Sequence, residues 1–211
     1  MANFRVIWKH EVGQANQIAK ILLVNKKVGI SWKLLVPPLY LYNFYKFRKD
    51  LRFAGKNFLF TKKLAFNAAK KISQGRERSW EIRQIEIKTK EILDKDKKGL
   101  YTENIRHKQL NEIEVLIDYY LELMNTHPSK YAEMVMAIYP YRGNYLSFLH
   151  HLQKLEEEVI EAAITTMRKG TKKERRQWFE KVRAATKKVR LAEIDKIYSG
   201  IEKREKHNAL R

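Results

Sequence analysis

Between Thr102 and Asn125 the chain reads TENIRHKQLNEIEVLIDYYLELMN, and its apolar residues recur at every third or fourth position. This spacing gathers them on one face of an α-helix, because the helix repeats every 3.6 residues. Thr102 suits the N-cap, since its hydroxyl can accept a hydrogen bond from a free backbone N–H. The stretch therefore predicts a long amphipathic helix whose apolar face consists of Ile105, Leu110, Ile113, Leu116, Ile117, Tyr120, Leu121 and Met124.

Segments with the same periodicity lie on both sides of this helix. They span about 3–27, 38–55, 56–73, 76–98, 130–139, 144–170 and 171–200. The alternation typical of β-strands never persists beyond four or five residues. The sequence predicts an all-α protein of about seven helices. We expect residues 76–200 to form a C-terminal helical bundle, residues 1–75 a basic, aromatic N-terminal helical arm, and residues 201–211 a flexible tail.

Two local patterns bound the last predicted helix. Thr171-Lys-Lys-Glu174 matches a capping box, in which the threonine hydroxyl and the glutamate carboxylate each accept a hydrogen bond from the other residue's backbone N–H. Gly200 suits the C-terminal end of the helix. Within this helix we expect Arg183, Lys187 and Arg190 to lie on the outer surface.

The predicted arm contains an uncharged stretch, Leu34–Tyr45, that Pro37-Pro38 interrupts. The residue before a proline disfavours the helical conformation, so we expect a break or sharp bend at this point. Tryptophan and tyrosine rings prefer the headgroup level of a bilayer, which makes this stretch suited to a membrane interface. We predict nine interface residues: Trp32, Leu34, Leu35, Leu39, Tyr40, Leu41, Tyr42, Phe44 and Tyr45.

The formal net charge of +20 is distributed unevenly. Residues 1–75 hold 15 basic and 2 acidic residues, residues 163–211 hold 16 and 6, and residues 100–162 hold 5 and 10. Two basic ends around an acidic middle indicate an anionic partner. We predict that the following side chains bind phosphate groups: Lys33, Lys46, Arg48, Lys49, Arg52, Lys56, Lys62, Lys63, Lys172, Lys173, Arg175 and Arg176.

No pattern in the sequence indicates catalysis, a metal site or a cofactor. The chain has no cysteine, which excludes disulfides and thiol nucleophiles, and its glycines form no phosphate-binding loop. No two of the six histidines are four residues apart, as metal ligands on one helix face would be. We expect Glu156-Glu157-Glu158 to form a solvated face, because consecutive helical residues point in different directions. These observations predict a protein that is not an enzyme.

The sequence also bears on the kind of membrane contact. The N-terminus does not read as a secretory signal, and no window holds the roughly 18 to 20 apolar residues of a spanning helix. Our hypothesis is a scaffold or adaptor attached peripherally, in a monotopic or re-entrant manner, to the cytoplasmic face of an anionic membrane. Its acidic middle would face a partner.

Three alternatives remain open at the level of sequence. The basic ends and aromatic rings suit binding of RNA or single-stranded DNA, through phosphate contacts and base stacking. The arm could instead enter a groove of an acidic or helical protein partner, which would make the chain a subunit of a larger complex. It could also pack as ordinary core in a soluble protein. A nucleic-acid binder has no need of the uncharged Leu34–Tyr45 stretch, whereas a membrane binder depends on it.

Overall fold

In a computed structural model of the protein, the structure describes residues 2–24, 59–167 and 171–209, with side chains described over residues 3–22, 59–167 and 171–199. These residues form seven α-helices and no strand, which confirms the all-α prediction. The predicted piece over residues 38–54 lies outside the described residues. The seven helices are α1 (Ala2–Val24), α2 (Phe60–Ser73), α3 (Arg78–Lys95), α4 (Glu103–Met124), α5 (Tyr131–Ile138), α6 (Arg142–Thr166) and α7 (Lys172–Ala209).

Helix α4, the helix predicted from residues 102–125, is the centre of the fold. Its N-terminus is capped as predicted, because Thr102 Oγ1 accepts a hydrogen bond from the Ile105 backbone N–H at 3.4 Å. Leu116 and Ile117 on its apolar face are completely buried. α2 and α6 pack most extensively against α4, and α1, α3 and α5 also contact it.

One hydrophobic core joins the described parts of the predicted arm to the later helices. Ile7 of α1 and Phe66 of α2 belong to the same buried cluster as residues of α4, α5, α6 and α7. The Trp8 ring lies 5.3 Å from the Phe66 ring, and Phe66 meets Tyr120 of α4 edge to face. α1 and α2 are therefore structural parts of the bundle rather than separate from it.

The contacts between helices define their directions. α1, α3 and α6 run one way, and α2, α4 and α7 run the other. In consequence the C-termini of α1 and α6 and the N-terminus of α7 lie toward the same end of the bundle. We call this the upper end. The pairs that set these directions are Trp8–Phe66, Glu11–Lys62, Gln14–Glu193, Thr61–Glu112, Phe66–Tyr120, Arg78–Asp118, Thr89–Arg106, Lys108–Glu158, Tyr119–Phe148, Arg142–Asp195 and Glu156–Arg190.

The last helix extends further than the sequence predicts. We expected α7 to end at Gly200 and the remaining residues to fray, but the helix continues to Ala209. A glycine inside a helix costs only about 1 kcal/mol relative to alanine. The residues after Gly200 include glutamates, lysines and an arginine, which are strong helix formers, so one glycine does not stop the helix.

Candidate functional site

The two chain positions that border residues 25–58 lie in the upper half of the bundle. α1 reaches this end at Val24, and the chain re-enters the described structure at Leu59, just before α2. α2 begins near the middle of α4, since Thr61 in its first turn hydrogen-bonds to Glu112 at 2.7 Å. The upper half of the bundle therefore holds both attachment points of the uncharged stretch Leu34–Tyr45.

The capping box predicted at the start of α7 is present. The Thr171 backbone N–H donates to Glu174 Oε2 at 2.7 Å, and the Glu174 N–H donates to Thr171 Oγ1 at 3.2 Å. These two bonds begin the helix, and Lys172, Lys173 and Arg176 are exposed in its first turns. In this capping box the carboxylate of Glu174, the acidic residue of the first turn, accepts a hydrogen bond from Thr171.

Four exposed cations of α1 and α7 at the upper end have no acidic partner in the described part of the chain. No carboxylate there lies within ion-pair distance of Lys172, Lys173 or Arg176, nor of Lys20, which is exposed on the last turns of α1. Arg175 differs from these residues, because it is half-buried and its Nη1 donates to the Met167 carbonyl. The upper end thus presents unneutralised positive charge on two helices.

The structure places the other predicted site residues as follows. Lys63 is exposed on α2. Lys62 is not at the surface, because its Nζ lies 2.6 Å from Glu11 Oε2 in the interior of the bundle. All nine predicted interface residues and six of the predicted phosphate-binding residues lie outside the described residues: Trp32, Lys33, Leu34, Leu35, Leu39, Tyr40, Leu41, Tyr42, Phe44, Tyr45, Lys46, Arg48, Lys49, Arg52 and Lys56.

Below the upper end, five helices contribute charged side chains to one buried cluster. Its members are Glu11 of α1, Lys62 of α2, Glu112 of α4, Glu156 of α6 and Arg190 of α7. Lys62 pairs with Glu11, and Arg190 Nη2 pairs with Glu156 Oε1 at 2.7 Å. Burial would raise the pKa of Glu11, but Lys62 and His10 outweigh it and hold the pKa below its ordinary value.

Glu112 is the carboxylate of this cluster that lacks a direct cationic partner among the described residues. Only 4% of its surface is exposed, and it accepts a hydrogen bond from Thr61 Oγ1 at 2.7 Å. Burial, followed by repulsion from Glu156, raises the pKa of Glu112 to about 7, although Thr61, Lys62 and Arg190 oppose the rise. Its charge state therefore changes near neutral pH.

A second polar network borders the cluster toward the opposite end of the bundle. Glu193 of α7 lies 2.9 Å from His10 Nε2 and accepts a hydrogen bond from Tyr145 Oη at 3.1 Å. The Tyr131 ring stacks on His10 with 3.5 Å between centroids, and its hydroxyl lies 2.7 Å from that of Tyr119. Burial raises the pKa of each of these tyrosines well above its ordinary value, so they stay neutral.

The sequence analysis misplaced two residues of the charge cluster. Arg190 was expected on the outer surface, but only 5% of it is exposed. Glu156 was expected in a solvated face, but it is half-buried against Arg190. The signal was the helical register: Arg190 follows buried Thr186 by four residues and precedes buried Ile194 by four. The position of a polar residue on the apolar stripe of a helix therefore indicates burial better than the hydrophobicity of that residue does.

The acidic middle of the sequence is largely paired within the chain. Glu157 pairs with Arg183, Glu158 with Lys108, and Asp118 with Arg78. Because of these pairs, residues 100–162 expose fewer unpaired carboxylates than their net negative charge implies. In the described residues, no group of histidine or acidic side chains is arranged to hold a metal ion.

Two further findings concern the whole chain. Among the helices described, none combines the length and the apolar character needed to cross a membrane. Comparison of the chain with protein families, with curated proteins and with solved structures finds no match.

Proposed function

We propose that this protein is a non-enzymatic scaffold or adaptor that attaches peripherally to the cytoplasmic face of an anionic membrane through its upper end. One observation carries the proposal. The free cations Lys172, Lys173 and Arg176 lie at the upper end, where α1 ends and the chain continues into residues 25–58, which contain the aromatic stretch Leu34–Tyr45.

The energetics favour attachment when both signals act together. Each lysine or arginine close to an anionic leaflet contributes about 1 kcal/mol. Apolar side chains that enter the interface add about 25 cal/mol for each Å² of apolar surface removed from water. Each signal alone binds the membrane more weakly than a basic patch beside an inserted apolar element does. The upper end supplies the patch, and residues 34–45 supply the apolar element.

A second candidate function rests on the same cations. Exposed lysines and an arginine at the N-terminal turns of a helix suit the phosphates of nucleic acid, because the helix dipole adds to their positive charge. This function would need the basic residues but not Leu35, Leu39 or Leu41. The two functions therefore differ in their dependence on the uncharged stretch.

The experiment that tests the upper end is cosedimentation with phosphatidylserine liposomes at low salt. In the triple variant Lys172→Glu, Lys173→Glu, Arg176→Glu, the membrane partition coefficient should fall at least on the order of 100-fold, since about 3 kcal/mol of attraction is lost. The matched control is Arg5→Glu, Arg76→Glu, Lys196→Glu, which changes the net charge equally at exposed positions toward the opposite end. The control should retain most of its binding. Equal losses in the two variants would contradict a binding surface at the upper end.

A further inference from the structure

The buried charge cluster contains five ionisable side chains, an odd number. Three carboxylates, from Glu11, Glu112 and Glu156, meet two cations, from Lys62 and Arg190. The two ion pairs are neutral as they stand, so an ionised Glu112 leaves one uncompensated negative charge in the interior. A buried charge without a partner is strongly unfavourable, whereas a protonated Glu112 makes the whole cluster neutral.

The surroundings of Glu112 define what its ionisation would disturb. The groups that face it are Thr61 and Lys62 from α2, Tyr120 from α4, Glu156 from α6 and Arg190 from α7, with Glu11 and His10 of α1 beyond Lys62. The acidic Glu81 of α3 is paired with Lys71, and Lys108 of α4 is paired with Glu158. Tyr131, beside His10 where α5 begins, stays neutral. No remaining group in the described residues is placed to neutralise Glu112.

The first turn of α2 depends on this cluster through two consecutive residues. Thr61 donates its hydroxyl hydrogen bond to Glu112, and Lys62 is held by Glu11. An ionised Glu112 would compete with Glu11 for Lys62 and with Glu156 for Arg190, whose Nη1 is buried without an acceptor in the described residues. Thr61 and Lys62 favour the ionised carboxylate, but burial and Glu156 outweigh them. Ionisation thus favours an arrangement in which the Glu112 carboxylate reaches water, and the first turn of α2, which lies against it through Thr61, then has to move away.

We propose that this cluster is a proton-operated latch on the first turn of α2, docked when Glu112 is protonated and open when Glu112 is ionised. The turn directly follows Leu59, so the latch controls how firmly α2 is anchored where the described chain resumes. This inference stands independently of membrane binding, and its test contains no lipid.

The direction of the pH effect follows from linkage. The pKa of Glu112 is raised in the docked state, so docking is most stable at low pH and loses stability as the pH rises through about 7. When the turn opens, the carboxyl group returns toward its ordinary pKa. This difference shifts the opening equilibrium about tenfold between pH 6 and pH 8.

The test is hydrogen exchange of the full-length protein at pH 6 and pH 8, corrected for the intrinsic pH dependence of exchange. The amides of residues 63–66 should open about tenfold more often at pH 8 in the wild-type protein. Glu112→Gln, which keeps the shape and cannot ionise, should show less than a twofold difference. Glu114→Gln, an exposed neighbour on the same helix, should behave like the wild type. The same tenfold difference in Glu112→Gln, or none in the wild type, would overturn the latch.

A second measurement covers the case in which Glu112→Gln fails to fold. In the wild-type protein, the ¹³C resonance of the Glu112 carboxyl group, assigned through its own backbone, should titrate with a midpoint near neutral pH. A midpoint below about 5, the range of ordinary glutamates, would show that Glu112 is ionised in the docked state and would overturn the proposal.

Discussion

At the scale of the residue, Arg190 shows how a charge becomes part of the core. It lies on the buried face of α7, where its guanidinium group pairs with Glu156. Burial lowers its pKa, but Glu156 outweighs the burial, and the net result is a pKa above its ordinary value. Arg183, two turns earlier on the same helix, pairs with Glu157 at 2.9 Å with about half of its side chain exposed.

Removal of these two arginines should lower the free energy of unfolding by very different amounts. Arg190→Ala leaves Glu156 half-buried without its cation and should lower the free energy of unfolding by roughly 3 to 5 kcal/mol. Arg183→Ala should lower it by no more than about 1 kcal/mol, because solvent already screens that pair. Urea denaturation of both variants at pH 7 measures the difference. Equal costs would mean that the charge cluster does not stabilise the bundle.

At the scale of the element, two glycines allow the short connections on either side of α3. Gly75, after α2, has φ of 95°, and Gly99, before α4, has φ of 62°. Residues with a side chain rarely adopt these left-handed conformations, so glycine is required by the backbone rather than by lack of space. Gly13, in contrast, lies inside α1, and a methyl group there would meet nothing within 4 Å.

The same substitution should therefore have opposite effects at two positions. Gly75→Ala should destabilise the protein by about 1 kcal/mol or more, because alanine is strained at positive φ. Gly13→Ala should stabilise it by about 0.5 to 1 kcal/mol, because alanine favours the helix and no neighbour is displaced. Thermal unfolding of the two variants provides the comparison. A stabilised Gly75→Ala protein would contradict the left-handed turn after α2.

At the scale of the whole molecule, the sequence was enough for the fold class and for several helix boundaries. The spacing of apolar residues predicted α4, Thr102 predicted its cap, and Thr171 with Glu174 predicted the start of α7. These features are local, so local patterns reveal them. The burial of Lys62 could not be predicted in the same way, because it depends on Glu11, a partner 51 positions distant.

The same limit applies to the candidate site. Lys172, Lys173 and Arg176 could be identified as a basic run, but their position at the same end of the bundle as the end of α1 follows only from the directions of α1 and α7. Glu112 gave no sign of a special role in the sequence. Its importance comes from the balance of charges that four other helices bring to it.

The most direct test of membrane attachment is cosedimentation with phosphatidylserine liposomes in roughly 1 M salt, where charge attraction is almost fully screened. We predict that the wild-type protein remains bound, because inserted apolar side chains do not respond to salt. The triple variant Leu35→Asp, Leu39→Asp, Leu41→Asp should be released while its helical content is unchanged. A wild-type protein that salt releases completely, or a triple variant that stays bound, would contradict attachment through residues 34–45.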